Sequence, residues 1–196
     1  MGKVVVIEHV TLDGVMQAPG RPDEDRRGGF RHGGWATERQ DPLMQQVMGE
    51  RMSSAWALLL GRTTYADFAD YWPKQGANPF TEALDQVRKY VVSTTATEPL
   101  PWQNSTLLTG EPTEEVAGLK KRLDEKLVVF GSGLLVRSLL ERALVDELVL
   151  MIHPIVLGSG RRLFADTGND LAAHRLTDSR ATGSGVIIAV YGRADT

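Results

Sequence analysis

The chain has no cysteine among its 196 residues. Disulfide bonds, thiolate catalysis and cysteine-based zinc sites are therefore excluded. The four histidines are scattered along the sequence, and His9 and His32 do not have the spacing of a metal site, so we expect no bound metal.

Long apolar runs and a strong net charge are also absent. No apolar run approaches the roughly 20 residues that a membrane-spanning helix needs, and Glu8 and His9 interrupt an N-terminal stretch that does not resemble a signal peptide. The 22 Lys and Arg residues against 25 Asp and Glu residues give a formal net charge of -3, which offers no overall attraction for nucleic acid. We expect a cytoplasmic protein that binds neither membranes nor nucleic acid.

Apolar strands alternate with helical segments along the chain, and its length predicts a single domain, residues 1–196. The apolar segments predict six strands: Lys3–Val10, Ala55–Gly61, Lys89–Ser93, Ser105–Leu108, Lys126–Gly131 and Asp146–Gly158. Such strands, apolar on both faces, favour an α/β fold with a mostly parallel central sheet flanked by helices. Ala173–Ala181 and Gly185–Arg193 leave no room for a helix between them, which predicts antiparallel C-terminal strands.

A Gly-Ser-Gly turn, Gly131 to Gly133, follows the fifth predicted strand and precedes a helical pattern from Leu134 to Leu140. Ligands of parallel sheets bind at the carboxyl ends of the strands, where free N–H groups of the next helix attract anions. Neither G-x-G-x-x-G nor the P-loop lysine is present. The turn is therefore either a pyrophosphate site or a plain strand-to-helix turn in which glycine supplies the backbone angles.

Two further strand ends carry groups that suit an anion. Gly61-Arg62-Thr63-Thr64 offers a guanidinium and two hydroxyls at a helix start, and Ser93-Thr94 offers hydroxyls after the third strand. A nucleotide with several phosphates needs such groups to converge. The alternatives are that Arg62 is a solvated surface charge and that Ser93 caps a turn.

The chain resembles the dihydrofolate reductase-like superfamily, in particular the branch with the reductase domain of the riboflavin-biosynthesis deaminase/reductase. The matching stretches occur in the family's order over nearly the whole chain: TLDG (11–14), LLLGRTTY (58–65), YVVST (90–94), VVFGSGLLVRSLL (128–140) and DELVLMIHPIVLGSGRRLF (146–164).

The resemblance implies a reductase fold that binds NADPH, with NADH not excluded, at the carboxyl edge of the sheet. It assigns cofactor contacts to eleven residues: Gly61, Arg62, Thr63, Thr64, Ser93, Thr94, Gly131, Ser132, Gly133, Leu134 and Leu135. The segment after Ser93 has no arginine that could bind the 2′-phosphate of NADPH. Arg62 is then the residue expected to determine the preference for NADPH over NADH.

The substrate side has four further candidates, Trp35, Gly158, Arg161 and Arg162. The resemblance places a second Gly-Ser-Gly, Gly158 to Gly160, near the substrate, and Arg161 or Arg162 after it can pair with a substrate phosphate or remain exposed. Trp35 closes a polar, glycine-rich stretch from Pro19, which is long enough to be a functional cover, a flexible loop or a subunit contact.

Asp13 and His9 are the candidate catalytic residues. Asp13 follows the first strand at the edge where ligands bind, although Asp-Gly is also a common turn. His9 is a polar residue inside an apolar strand, where it is either a functional group or a structural histidine with a partner.

We therefore expect an NAD(P)H-dependent reductase that acts on a small carbonyl or imine compound of pterin, pyrimidine or flavin-precursor type. The resemblance implies an activity like that of 5-amino-6-(5-phosphoribosylamino)uracil reductase or dihydrofolate reductase, in a homodimer. The alternative is a non-catalytic nucleotide-binding module that keeps the reductase fold.

Overall fold

The computed structural model describes residues 1–164 and 173–194, which form eight strands and five α-helices. The strands are β1 (Lys3–Thr11), β2 (Trp56–Gly61), β3 (Lys89–Val92), β4 (Ser105–Leu108), β5 (Lys126–Phe130), β6 (Val145–His153), β7 (His174–Ala181) and β8 (Ile187–Arg193). The helices are α1 (Pro42–Met52), α2 (Arg62–Tyr71), α3 (Pro79–Gln86), α4 (Pro112–Arg122) and α5 (Gly133–Glu141). None of these helices is long and apolar enough to cross a membrane.

The eight strands form one sheet in the order β4-β3-β2-β5-β1-β6-β8-β7. β2 pairs in parallel with β3 and β5, and β3 pairs in parallel with β4, whereas β8 runs antiparallel to both β6 and β7. Leu58, Leu59 and Leu60 of β2 are fully buried, as expected for a strand with helices on both faces. The predicted α/β fold, mostly parallel with antiparallel C-terminal strands, is confirmed.

The strand bounds follow the sequence prediction closely, with one clear exception. β6 was expected to run to Gly158, but it ends at His153. Pro154 comes next, and a proline has no N–H to donate to the neighbouring strand. The residues from Pro154 to Gly160 therefore form bends and irregular backbone.

The described fold contains two compact units. Unit 1 comprises Met1–Val5 and Ser54–Val145, and unit 2 comprises Val6–Ser53 and Asp146–Thr196. The single domain over residues 1–196 stays a prediction. In unit 1 the core consists of strand and helix residues with no exposed surface, including Leu58, Val116, Val128 and Leu139.

Unit 2 has a small apolar cluster of its own. Its buried members are Val15, Ala18, Phe30, Trp35 and Ala36. Phe30 and Trp35 belong to the Pro19–Trp35 stretch for which the sequence allowed a cover. The indole N–H of Trp35 donates to the carbonyl of Gln17 at 2.7 Å. Only 8% of Trp35 is exposed, so its ring packs within this segment and does not project from a flexible loop.

Candidate functional site

The three predicted cofactor turns follow neighbouring parallel strands of unit 1. β2 lies between β3 and β5, and Gly61 at the end of β2 pairs with Val92 at the end of β3. Because parallel strands end at the same edge of a sheet, the turns after Gly61, Val92 and Phe130 lie side by side. This is the convergence that the sequence predicted.

Two hydrogen bonds tie the β2–α2 turn to the β5–α5 turn. The Gly61 N–H donates to Ser132 Oγ at 3.0 Å, and the Ser132 N–H donates to Thr64 Oγ1 at 3.0 Å. Gly131 has a φ of +59°, and a Cβ there would lie 3.1 Å from Thr64 Cγ2. Glycine at this position is required both by the backbone angle and by the close approach of Thr64.

Apart from the bonded N–H groups of Gly61 and Ser132, the first N–H groups of the two helices that start at these turns have no side-chain partner in the described residues. Side chains of Asp41, Asn78 and Glu111 cap α1, α3 and α4. By contrast, no side chain from the described part of the chain caps α2 or α5. The first N–H groups of an uncapped helix can bind an anion, so the two joined turns are suited to a diphosphate.

The other predicted cofactor residues fall into two groups. Arg62, Thr63 and Thr94 have exposed side chains, as does Leu134 at the start of α5. Leu135 is buried, so only its backbone N–H is suited to a ligand. The hydroxyl of Ser93 accepts the N–H groups of Thr95 at 3.1 Å and Ala96 at 2.9 Å, which is the turn cap that the sequence allowed as the alternative.

In unit 2 the second Gly-Ser-Gly turn is held by Asp13. The carboxylate of Asp13 accepts the N–H groups of Leu157 at 3.2 Å and Gly158 at 2.9 Å. The Thr11 hydroxyl donates to it at 2.6 Å. These bonds, that of Thr11 first, lower the pKa of Asp13 to about 2. An ionised aspartate at neutral pH is a poor proton donor, and a catalytic role for Asp13 stays a prediction.

The two arginines after this turn differ in their partners. Arg162 Nε donates to the Asp13 carbonyl at 2.8 Å, and its Nη2 lies 3.4 Å from Asp13 Oδ2. Arg161 is held by its backbone, which donates to Gln17 Oε1 at 3.0 Å. Its guanidinium is exposed and has no hydrogen bond within residues 1–164 and 173–194. Of the two, Arg161 is the one available to a ligand.

His9 pairs with a histidine that the sequence reasoning did not single out. His9 Nδ1 lies 2.9 Å from His153 Nε2, and Trp35 packs edge-on against the His153 ring at 5.1 Å. Burial lowers the pKa of His9 to about 3 and that of His153 to about 4, with smaller effects from His153 on His9 and from Arg39 on His153. Both rings are therefore neutral near pH 7.

The signal for His153 was present in the sequence. It is a polar residue in an apolar strand, as His9 is, but the two are 144 positions apart. Within the described residues, no group of three His, Asp or Glu side chains could hold a metal ion.

Comparison with known proteins identifies the family. The model of the RibD C-terminal domain matches residues 2–188. The chain belongs to the RibD C-terminal domain family. An uncharacterized relative from Bacillus subtilis, YyaP, is 32% identical over 140 residues, which cover 68% of this chain and 72% of the relative.

Solved structures show the same fold as this RibD C-terminal domain chain. A protein from Shewanella sp. PV-4, assigned provisionally to riboflavin biosynthesis, superposes with a TM-score of 0.75 and 22% identity over 100% of both chains. Dihydrofolate reductase from Enterococcus faecalis, complexed with NADP(H), superposes with a TM-score of 0.63 and 14% identity, covering 99% of this chain and 98% of the reductase. The chain therefore has the reductase-type fold that the sequence predicted.

Proposed function

We propose that the protein is an NAD(P)H-dependent reductase that acts on a small carbonyl or imine compound of pterin, pyrimidine or flavin-precursor type. The main support is the pair of joined, uncapped helix starts in unit 1. Membership of the RibD C-terminal domain family adds to it. NADP(H) in the dihydrofolate reductase of the same fold is consistent with it.

The residues at the joined turns fit a dinucleotide. Gly131 and Gly133 present only backbone, and the N–H groups of Gly133, Leu134 and Leu135 begin an uncapped helix, which suits a pyrophosphate. Arg62 is exposed at the start of α2 and provides a positive charge for a 2′-phosphate. The bound nicotinamide would supply the hydride.

Unit 2 supplies the groups for the substrate in this proposal. Arg161 has an exposed guanidinium that can bind an anionic substituent of the substrate. Asp13 and Arg162 hold the Gly158 turn in place and thereby position the backbone beside Arg161. His9 is a neutral group that can donate a hydrogen bond but not an acidic proton near pH 7.

Cofactor titration of the wild type and of Arg62→Ala tests the proposal. Quenching of tryptophan fluorescence by NADPH and by NADH gives a Kd for each cofactor. We expect saturable NADPH binding by the wild type and an NADPH Kd about tenfold higher for Arg62→Ala, with little change for NADH, because a charge-assisted bond to the phosphate is lost.

Arg142→Ala is the matched control, because Arg142 is also an exposed arginine of unit 1 but lies at the end of α5. It is expected to leave both Kd values unchanged. Absence of saturable binding of either cofactor to the wild type would refute the proposed function.

A non-catalytic nucleotide-binding module is the second candidate. It is supported by the low pKa of Asp13 and the neutral histidine pair, which leave these residues without an acidic proton at neutral pH. NADPH oxidation with 5-amino-6-(5-phosphoribosylamino)uracil and with dihydrofolate separates the two functions. Tight NADPH binding with no turnover of a broad panel of carbonyl and imine compounds would favour the module.

A homodimer is also part of the proposal. β7 pairs only with β8 among the described strands, and most of its residues are exposed, including Leu176. An exposed edge strand can pair with another chain. Light scattering measures the mass in solution directly, and a mass of about one chain at micromolar concentration would exclude the dimer.

A further inference from the structure

His9 and His153 of unit 2 share one proton. The facing atoms are His9 Nδ1 and His153 Nε2, 2.9 Å apart. A hydrogen bond between two neutral imidazoles needs an N–H on one facing nitrogen and a lone pair on the other. The position of this proton therefore fixes the tautomer of both rings.

The second nitrogen of His153 decides between the two arrangements. His153 Nδ1 is buried and has no hydrogen-bond partner in the described part of the chain. If His9 were the donor, a neutral His153 would carry its hydrogen on this Nδ1, as a buried N–H without an acceptor. If His153 Nε2 is the donor, Nδ1 has only a lone pair, and a buried N–H without an acceptor is the rarer defect in proteins.

Nearby charge keeps the His153 ring neutral. Arg39 lowers the pKa of His153, as expected when a positive charge opposes a further proton on the ring. Trp35 fixes the ring orientation, because its indole packs at 90° to the His153 ring and is itself bonded to the Gln17 carbonyl. His153 is thus held as a donor through Nε2.

His9 then has its own hydrogen on Nε2. His9 is half-buried, whereas His153 has no exposed surface. Because His9 Nδ1 faces His153, the Nε2–H lies on the side of the ring away from His153. In β1 the side chains of His9 and Thr11 point to the same face, and Thr11 bonds to Asp13 at the substrate-side turn.

We infer that His9 is the hydrogen-bond donor to the substrate and that His153 is a positioning residue, which holds His9 in the Nε2–H tautomer. This inference rests on the proposed reductase function. A neutral N–H donor fits a substrate atom with a lone pair, either a carbonyl oxygen or an unprotonated imine nitrogen, on which negative charge develops. The ring stays neutral, and the proton that neutralises the reduced oxygen or nitrogen comes from water and not from His9.

The tautomer can be measured without cofactor or substrate. Long-range ¹H–¹⁵N spectra of full-length protein labelled with ¹⁵N-histidine distinguish the tautomers, and His9→Gln and His153→Gln assign the two signals. We expect neutral Nε2–H tautomers for both rings at pH 7. A His9 ring with its hydrogen on Nδ1, or a charged His9, would overturn the inference while leaving the proposed cofactor binding intact.

Two substitutions of His153 test the positioning role. Gln can place an amide N–H near the position of the Nε2 donor, whereas Leu removes the donor. With NADPH and 5-amino-6-(5-phosphoribosylamino)uracil, we expect His153→Leu to lower kcat on the order of tenfold, as for other partners that orient a functional histidine. His153→Gln should recover most of this loss, and the KM for NADPH should not change.

His174→Gln is the control, because His174 is exposed on β7. A His153→Leu protein with wild-type kcat and a wild-type His9 signal would refute the positioning role. If His153→Leu does not fold, the spectra of the wild type and of His153→Gln still decide the tautomer. Failure of the wild type to oxidise NADPH would count against the proposed function, and the tautomer would still be decided by NMR.

Discussion

The same tripeptide, Gly-Ser-Gly, forms two different structures in this chain. At Gly131 to Gly133 in unit 1 it leads into a helix whose N-terminal N–H groups have no side-chain cap. At Gly158 to Gly160 in unit 2 the N–H of Gly158 is bonded to the Asp13 carboxylate. The first turn therefore has N–H groups available to an anion, whereas the second turn has already used the N–H of Gly158 within the chain.

The glycines of the two turns also serve different purposes. Gly131 allows Thr64 to approach and keeps the backbone open, while Gly160 leaves room for Phe30 and Val15 of the apolar cluster in unit 2. A glycine-rich turn is thus not a phosphate site by composition alone. Whether its N–H groups are already bonded decides what it can bind.

Gly160→Ala should have the largest effect on stability. Gly160 has a φ of +116°, and a Cβ would lie 2.7 Å from Phe30 Cε2 and 2.8 Å from Val15 Cγ1. Overpacking and backbone strain together should lower the free energy of unfolding by on the order of 3 kcal/mol. Urea unfolding measures this loss, and the NADPH Kd should not change.

Gly49→Ala is the control for that substitution. Gly49 lies inside α1 and a Cβ there would touch nothing within 4 Å. Alanine should therefore raise the free energy of unfolding by about 0.5–1 kcal/mol. Equal stability of the two variants would show that the packing of Phe30 on Gly160 does not hold the second turn.

Gly131→Ala should instead weaken the binding of NADPH. A Cβ at this φ of +59° would press on Thr64 and displace the joined turns, so we expect an NADPH Kd about tenfold higher and a loss of about 1 kcal/mol in stability. Gly158→Ala has a similar φ of +72° with open space around the Cβ. It should cost a similar stability but leave the Kd unchanged; an equal rise in Kd for both variants would contradict the comparison.

Asp13→Asn should have a smaller, local effect. The carboxylate accepts the Leu157 N–H with one oxygen and the Gly158 N–H with the other, and the amide of asparagine has one oxygen and no charge. Hydrogen exchange at these two N–H groups should therefore become faster at neutral pH without global unfolding. In the wild type the pKa of Asp13 is about 2, below its ordinary 3.8. The contribution of the carboxylate is therefore complete above about pH 4 and is lost as the pH falls towards 2.

Exchange of these two N–H groups, measured against pH, checks the sign of the effect. Their protection should decrease between about pH 4 and pH 2, after correction for the intrinsic rates. Protection that is the same in Asp13→Asn and the wild type would show that Asp13 does not hold the second turn.

Local patterns predicted the strands and the turns after Gly61, Val92 and Phe130, because apolar runs, glycines and hydroxyl residues at strand ends act within a few residues. The cofactor role of these turns stays a prediction. Contacts between distant residues could not be predicted in the same way. His9 meets His153 across 144 positions, and Asp13 reaches Gly158 across 145. These partners change the roles expected of His9 and Asp13, and they add to the lowering of the pKa of each group, for which burial of His9 and the Thr11 hydroxyl beside Asp13 are the larger causes.

The Pro19–Trp35 stretch illustrates the same limit. Its polar, glycine-rich composition was consistent with a cover or a flexible loop, and nothing local indicated that Phe30 and Trp35 pack with Val15. The position of Trp35 beside a substrate stays a prediction, as do the other assigned contacts.

The close approach of Thr64 to Gly131 has an evolutionary consequence. Position 64 supplies a hydroxyl to the backbone N–H of the next turn and a methyl group that Gly131 must accommodate. Neither Thr64 nor Gly131 can change freely while the other is retained. Among homologues, positions 64 and 131 should therefore covary, so that a larger residue at 131 is accompanied by a smaller residue at 64.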